Sequence, residues 1–255
     1  MSAPTPPSRV PLAEFRDRIR SEMVPLSSQF SYFAAASPFG EEDLRDYLQD
    51  PIAALPTAIC ALLPRVSILL VPHIERVNGK DRREQDEIVC FEQPPESKAA
   101  RSAGWHEQES AVLAFAVEEM EVAEYHYEMY RRLATLAGES APPEACQDYF
   151  GILREELNLH MHGEVDDPSW QLKQALLRRS SKIKRDSKAF KEYARQSLAD
   201  TLTLYLHGIC CDIDVETGPR QLPSRYLKRR LRLLHSQFPP PEGYVVFPEE
   251  LDPKG

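Results

Sequence analysis

Glu156, His160, His162 and Glu164 lie in one short stretch of this chain. Neutral imidazole nitrogens together with a carboxylate are the donor set that zinc takes. Glu156 and His160 are four residues apart and share a helix face. His160 and His162 point apart on a helix but converge on a strand, and a helix that ends at Met161 lets its last turn fold both rings toward one ion. His160 and His162, with Glu156, are therefore the candidate metal ligands, and zinc is the ion they would hold. The alternative is that the rings hydrogen-bond near a helix C-terminus, where a cationic imidazole is favoured by the dipole.

A second cluster is His207, Cys210 and Cys211, followed by Asp212 and Asp214. An imidazole three or four residues from a thiol is the minimal cysteine nucleophile. The same residues read equally as metal ligands or as a buried group, since cysteine inside a protein behaves as a small hydrophobe. Trp105-His106-Glu107-Gln108-Glu109-Ser110 carries half of a His-Glu-x-x-His zinc motif. Ser110 stands where the second imidazole is needed, so no zinc is held. Glu107 and Glu109 are instead expected in the first turn of a helix, complementing its dipole.

Two charged stripes complete the chemistry-bearing residues. Glu118, Glu121, Glu124 and Glu128, with Glu119 beside them, recur at helical spacing. Bundles that hold two irons use glutamates in this way but need Glu-x-x-His on partner helices. Here Ala123, Leu157 and Leu159 stand three residues before His126, His160 and His162. The stripe reads as a solvated acidic face, or one matched to cations. Its counterpart is Arg225, Lys228, Arg229, Arg230 and Arg232. Arg225, Arg229 and Arg232 share one helix face, and Leu227, Leu231 and Leu234 form another. The asymmetry is regional. Residues 101–170 hold 15 acids and 4 bases, whereas residues 171–235 hold 15 bases and 6 acids. Opposite charge on successive segments suggests helices that dock on each other or on separate partners.

The elements that must position these groups follow from periodicity. A short amphipathic helix is predicted over Leu12–Met23, with Pro11 at its start, and further short helices at Glu41–Leu48 and from Pro51. Val66–Val71 and Asp86–Phe91 read as two strands of a long hairpin, with Asn78-Gly79 in its loop. Pro72 puts the first strand at a sheet edge or near a strand end. Residues 93–104 read as loop. Helices are predicted over 107–136, from Pro143 to Met161, from Trp170 to 179, from Ile183 to Cys211, and from Ser224 to His235. In the Ile183–Cys211 helix, Phe190, Ala194, Leu198, Leu202, Tyr205 and Ile209 form the clearest apolar ladder.

The expected fold is thus mainly α, a multi-helix bundle-like domain with a small two-stranded β element in its first half. The expected organisation is a disordered arm over 1–10, one helical domain over 11–236 with a possible sub-boundary near 93–105, and a Pro-rich tail over 237–255. The chain has 255 residues, 42% of them hydrophobic, 28% charged, with a net charge of −9. That length can bury a core without a disulfide or metal staple. Five cysteines without regular spacing fit a reducing, cytoplasmic location. No apolar run is long enough to cross a bilayer, so no membrane partner is expected. Only ten glycines are present, and none forms a phosphate-cradling loop, a dinucleotide fingerprint or a nucleophile elbow. These observations point to a non-enzymatic interaction or regulatory protein that binds another protein through charged helix faces, with no cofactor. One alternative is a metal-dependent enzyme built on His160 and His162. Another is a nucleic-acid-associated factor using the basic C-terminal helices.

Overall fold

From Ile68 to Val71 the strand Arg65–Val71 (β4) is aliphatic and buried on both faces. Such a strand needs a neighbour on each edge and a cover on each side. The computed structural model describes residues 8–36, 39–77, 87–107, 109–118, 120–178, 187–211 and 222–246, and in it β4 has both. Its neighbours are Phe30–Ala34 (β3) and Ser110–Ala116 (β9), each parallel to it. Val24–Pro25 (β2) and Ser102–Glu107 (β8) pair antiparallel at the two edges, completing a five-stranded sheet. Gly104 of β8 lies so close to β9 that an added Cβ would sit 2.9 Å from the Val112 carbonyl oxygen. A four-stranded antiparallel sheet is built from Arg9–Pro11 (β1), Glu87–Cys90 (β6), His73–Arg76 (β5) and Ala99–Ala100 (β7), in that order.

One face of β4 and β9 contributes Leu69, Val71, Val112 and Ala114 to a core shared with Val10, Ile74 and Val89 of the second sheet. Leu12, Phe15 and Ile19 of the helix Leu12–Ile19 (α1) fill the same core. On the opposite face, Phe115 meets Tyr125 edge-to-face with ring centroids 5.1 Å apart. Tyr125 belongs to the long helix Val122–Ser140 (α5).

Contacts divide the chain into two compact units. The first is Met1–Gln49 with Pro64–Arg132, and the second is Asp50–Leu63 with Leu133–Gly255. The chain therefore leaves the first unit after the short helix Glu41–Leu44 (α2) and the π-helical turn Arg45–Gln49, then returns to it at β4. Asp50–Ala53 (α3) and Thr57–Cys60 (α4) belong to the second unit. So do Pro143–Asn158 (α6), Asp167–Leu177 (α7), Lys188–Cys210 (α8) and Ser224–Gln237 (α9). Ser187 caps α8 by accepting from the Phe190 backbone N–H at 3.2 Å, a contribution of about 1 kcal/mol. Every residue of the apolar ladder predicted in this helix is buried.

The expected mainly α, bundle-like fold with a two-stranded element is corrected by these findings. Among the described residues there are nine strands in two sheets. Val66–Val71 and Asp86–Phe91 do contain strands, but they do not form a hairpin together. β4 lies in one sheet and β6 in the other. Nor is β4 an edge strand, and Pro72 simply ends it. The helix expected over 107–136 begins only at Val122, because Ser102–Glu107 and Ser110–Ala116 are the β8–β9 pair. Residues 93–104, expected as loop, contain β7 and the start of β8. Of the arm expected over 1–10, Arg9 and Val10 belong to β1, and of the tail expected over 237–255, Gln237 ends the last helix, Ser224–Gln237. Residues 1–7, Asn78-Gly79, Glu119, Asp212, Asp214 and residues from 247 on lie outside the described residues.

Candidate functional site

Leu227, Arg230, Leu231 and Leu234 recur at i, i+3, i+4 and i+7 along α9, and all four are buried. Three are aliphatic and one is a guanidinium, which has five donors and no accessible neutral form. Arg230 is completely inaccessible to solvent. A charge so placed is tolerated only if its donors are met, and here they are. Nε donates to Glu156 Oε1 at 3.2 Å, and one terminal nitrogen donates to Glu156 Oε2. The same nitrogen reaches Glu164 Oε1 at 3.0 Å. The other donates to Glu164 Oε2 at 2.8 Å and to Ser197 Oγ at 2.9 Å. It also lies 3.3 Å from the Tyr149 hydroxyl.

The carboxylates are met in turn. Lys173 of α7 donates to Glu164 Oε1 at 3.2 Å and to the Gly163 carbonyl at 2.7 Å. The Tyr193 hydroxyl of α8 also donates to Glu164. Tyr149 contacts the Thr201 hydroxyl at 2.6 Å and donates to the Ser197 carbonyl at 2.9 Å. Two carboxylates and two cations cancel, so the interior holds no net charge. The cluster joins α6, its following turn, α7, α8 and α9.

Burial by itself would push the Glu164 carboxyl up. The Arg230 guanidinium outweighs it, with help from Lys173 and Tyr193, and holds the group down at about 2. Burial pushes the Tyr149 phenol up to about 12. Burial also raises Tyr193, reinforced by the Glu164 charge, and lowers Lys173 despite the carboxylate beside it. These are the signatures of a dry ion network. With its Arg, Lys and Glu side chains sealed from solvent, the cluster offers no entry to a substrate. Its physical effect is to fix four helices, and above all the rotation of α9 about its own axis.

That rotation decides what α9 shows to solvent. Arg225, Lys228, Arg229 and Arg232 are exposed. Their i, i+3, i+4, i+7 spacing makes one ridge about 10 Å long. Arg225 lies over the Tyr226 ring at 4.7 Å, and Arg229 pairs with Glu155 of α6 at 2.5 Å. The latter links one ridge residue to an acid of its own unit.

The other sequence candidates fall as follows. Glu156 and Glu164 do come together, but around Arg230. His160 and His162 are exposed in the turn after α6, while Glu156 faces inward. His160 has φ 55°, a left-handed conformation that ends the helix. His207, Cys210 and Cys211 are partly buried at the C-terminal end of α8, and neither cysteine is in a disulfide. The Cys211 N–H donates to the His207 carbonyl at 2.8 Å. His106 lies on β8, not on a helix.

The acidic stripe is divided. Glu118 and Glu121 precede α5, and Glu118 lies 3.7 Å from His73. Glu124 pairs with Arg101 at 3.3 Å, and Glu128 accepts from Ser102 and Arg131 at 2.7 Å each. Sequence reasoning groups Arg230 with the other bases of the last helix without assigning it a face, and does not single out Lys173, Tyr149, Tyr193 or Ser197. One signal was present: Arg230 is the only cation at the i+3 position of the Leu227–Leu231–Leu234 face. No family model, curated protein or solved structure matches this chain.

Proposed function

We propose that this chain is a non-enzymatic interaction protein that binds an acidic protein surface through the outer ridge of α9. The observation that carries this reading is the two-faced character of that helix. Its inner face is locked by Arg230 to Glu156 and Glu164. Its outer face gathers Arg225, Lys228, Arg229 and Arg232 into one exposed line. Like charges at this spacing repel by a few tenths of a kcal/mol per pair, a repulsion that Glu155 offsets at Arg229 and that an anionic partner would offset further. Exposed ion pairs contribute little affinity singly, about 0–1 kcal/mol each, but together they set orientation and speed association. The closed interior cluster supports a binding role over a catalytic one.

The test is fluorescence anisotropy with labelled poly-glutamate and, in parallel, labelled duplex and single-stranded DNA. The triple variant Arg225→Glu, Lys228→Glu, Arg232→Glu should keep its circular dichroism and lose poly-glutamate binding. The wild-type interaction should weaken with salt on the scale of the Debye length, about 8 Å at physiological ionic strength. Tight DNA binding with a steep salt slope, abolished in the same variant, would replace this reading with a nucleic-acid one.

A further inference from the structure

The first unit contains a hollow of about 320 Å³ at the carboxyl ends of two parallel strands. Pro72 and His73 follow β4 directly, and Ala116 is the last residue of β9. Ligands of open parallel sheets sit outside such strand ends, where backbone direction reverses and side chains splay apart. The volume is at the lower end of the range for small-molecule sites. Ala99, Ala100 and Ala116 keep it open by their small size.

Its lining is chemically mixed. Ile74, Met120, Pro72 and Pro94 supply aliphatic surface. Glu96, Glu124, Arg101 and His73 supply charge and hydrogen bonds. Arg101 already pairs with Glu124 at 3.3 Å. The His73 Nε2 lies 3.7 Å from Glu118, outside the lining. Of the lining charges, the Glu96 and Glu124 carboxylates stand against the one Arg101 guanidinium, so one carboxylate is left over.

We infer that this hollow binds a small aliphatic ammonium compound, with its carbon chain on the Ile74 and Met120 side and its ammonium group at the carboxylates. An anion of the same size would meet the Glu96 carboxylate, with the Arg101 guanidinium already paired to Glu124. A bare metal ion would leave the apolar walls unused. The inference does not depend on the α9 ridge, which lies in the other unit.

Isothermal titration calorimetry with 1,5-diaminopentane tests it, against glutarate, 1,5-pentanediol, Mg²⁺ and Zn²⁺ as probes of matched size or charge. Saturable binding of the diamine alone is expected. Glu96→Gln should weaken it about tenfold or more, equivalent to about 1.4 kcal/mol. Ala99→Phe, which adds a ring at a lining position, should abolish it while circular dichroism stays unchanged. No saturable heat with the diamine, tighter binding of glutarate or of a metal ion, or diamine binding unaffected by both variants would each overturn the inference.

Discussion

Arg131 and Arg230 make almost the same contacts in opposite surroundings. Each donates to a glutamate and reaches a serine hydroxyl. Arg131 of α5 reaches Glu128 at 2.7 Å and Ser102 Oγ at 3.4 Å, with its side chain 38% exposed. Arg230 makes the equivalent contacts with no exposure at all. Water can replace any partner that Arg131 loses. Nothing can do so for Arg230, whose removal strands the buried Glu156 carboxylate and leaves Glu164 with Lys173 and Tyr193 alone. The difference teaches that contact lists do not rank ion pairs, whereas the alternative available to each group does.

Breaking the two pairs in the same way should show the largest contrast. Arg230→Met should cost about 3–5 kcal/mol or unfold the second unit outright. Arg131→Met should cost about 0–1 kcal/mol. Urea denaturation can follow each unit separately, because Trp105 lies in the first and Trp170 in the second. Trp105→Phe leaves Trp170 as the reporter, and Trp170→Phe leaves Trp105. Equal losses at the two sites would remove the distinction.

Acid should sharpen the same contrast. The Glu164 carboxyl is depressed from its ordinary value of 4.5 to about 2. The stability linked to this shift is present above pH 4.5 and drains as pH falls toward 2. Its size is about 3 kcal/mol. The Trp170 signal should therefore show a loss of stability over that window. Glu164→Gln should be less stable at neutral pH but much flatter across it. Glu128 is lowered too: burial pushes it up, and bonds from Arg131 and Ser102 more than offset that. Since Glu128 is partly open to solvent, the Trp105 signal should change less.

Within the cluster, the smallest expected effect is at the Tyr149 hydroxyl. Tyr149→Phe deletes the hydroxyl that donates to the Ser197 carbonyl and faces Thr201. Both groups have other partners, since Thr201 donates to the Ser197 carbonyl at 2.8 Å. The loss should be about 1–2 kcal/mol in urea. A loss as large as that of Arg230→Met would place the hydroxyl at the centre of the network.

The helices of the second unit were legible because their faces differ. The α8 ladder repeats Phe190, Ala194, Leu198 and Leu202 against a polar remainder, and a 3.6-residue period needs that contrast. The strands of the first unit offered none. Ser110–Ala116 is buried on both faces, so its run of Ala, Val, Leu and Phe carries no period-2 signal. Val112, Phe115 and Ala116 then matched helical spacing by chance. Phe30–Ala34 is short, and its parallel pairing with β4 crosses a gap of more than thirty residues, which local pattern does not encode. At the candidate site, spacing groups Glu156 and Glu164 with His160 and His162, and it makes Glu156 and the two histidines the candidate ligands of an ion. Arg230 lies 74 residues from Glu156, and only tertiary structure brings it there.

The interleaving of the two units has a consequence for biosynthesis. Asp50–Leu63 joins the second unit, yet the next residues of that unit begin at Leu133. Ala54, Leu55, Ile59 and Leu63 are buried in the finished protein. At ~5–20 residues per second, a ribosome takes on the order of 4–14 s to make the intervening stretch. For that interval the first unit can complete its sheets while this short apolar segment has no partner. It is the part of the nascent chain on which a chaperone would first find a hold.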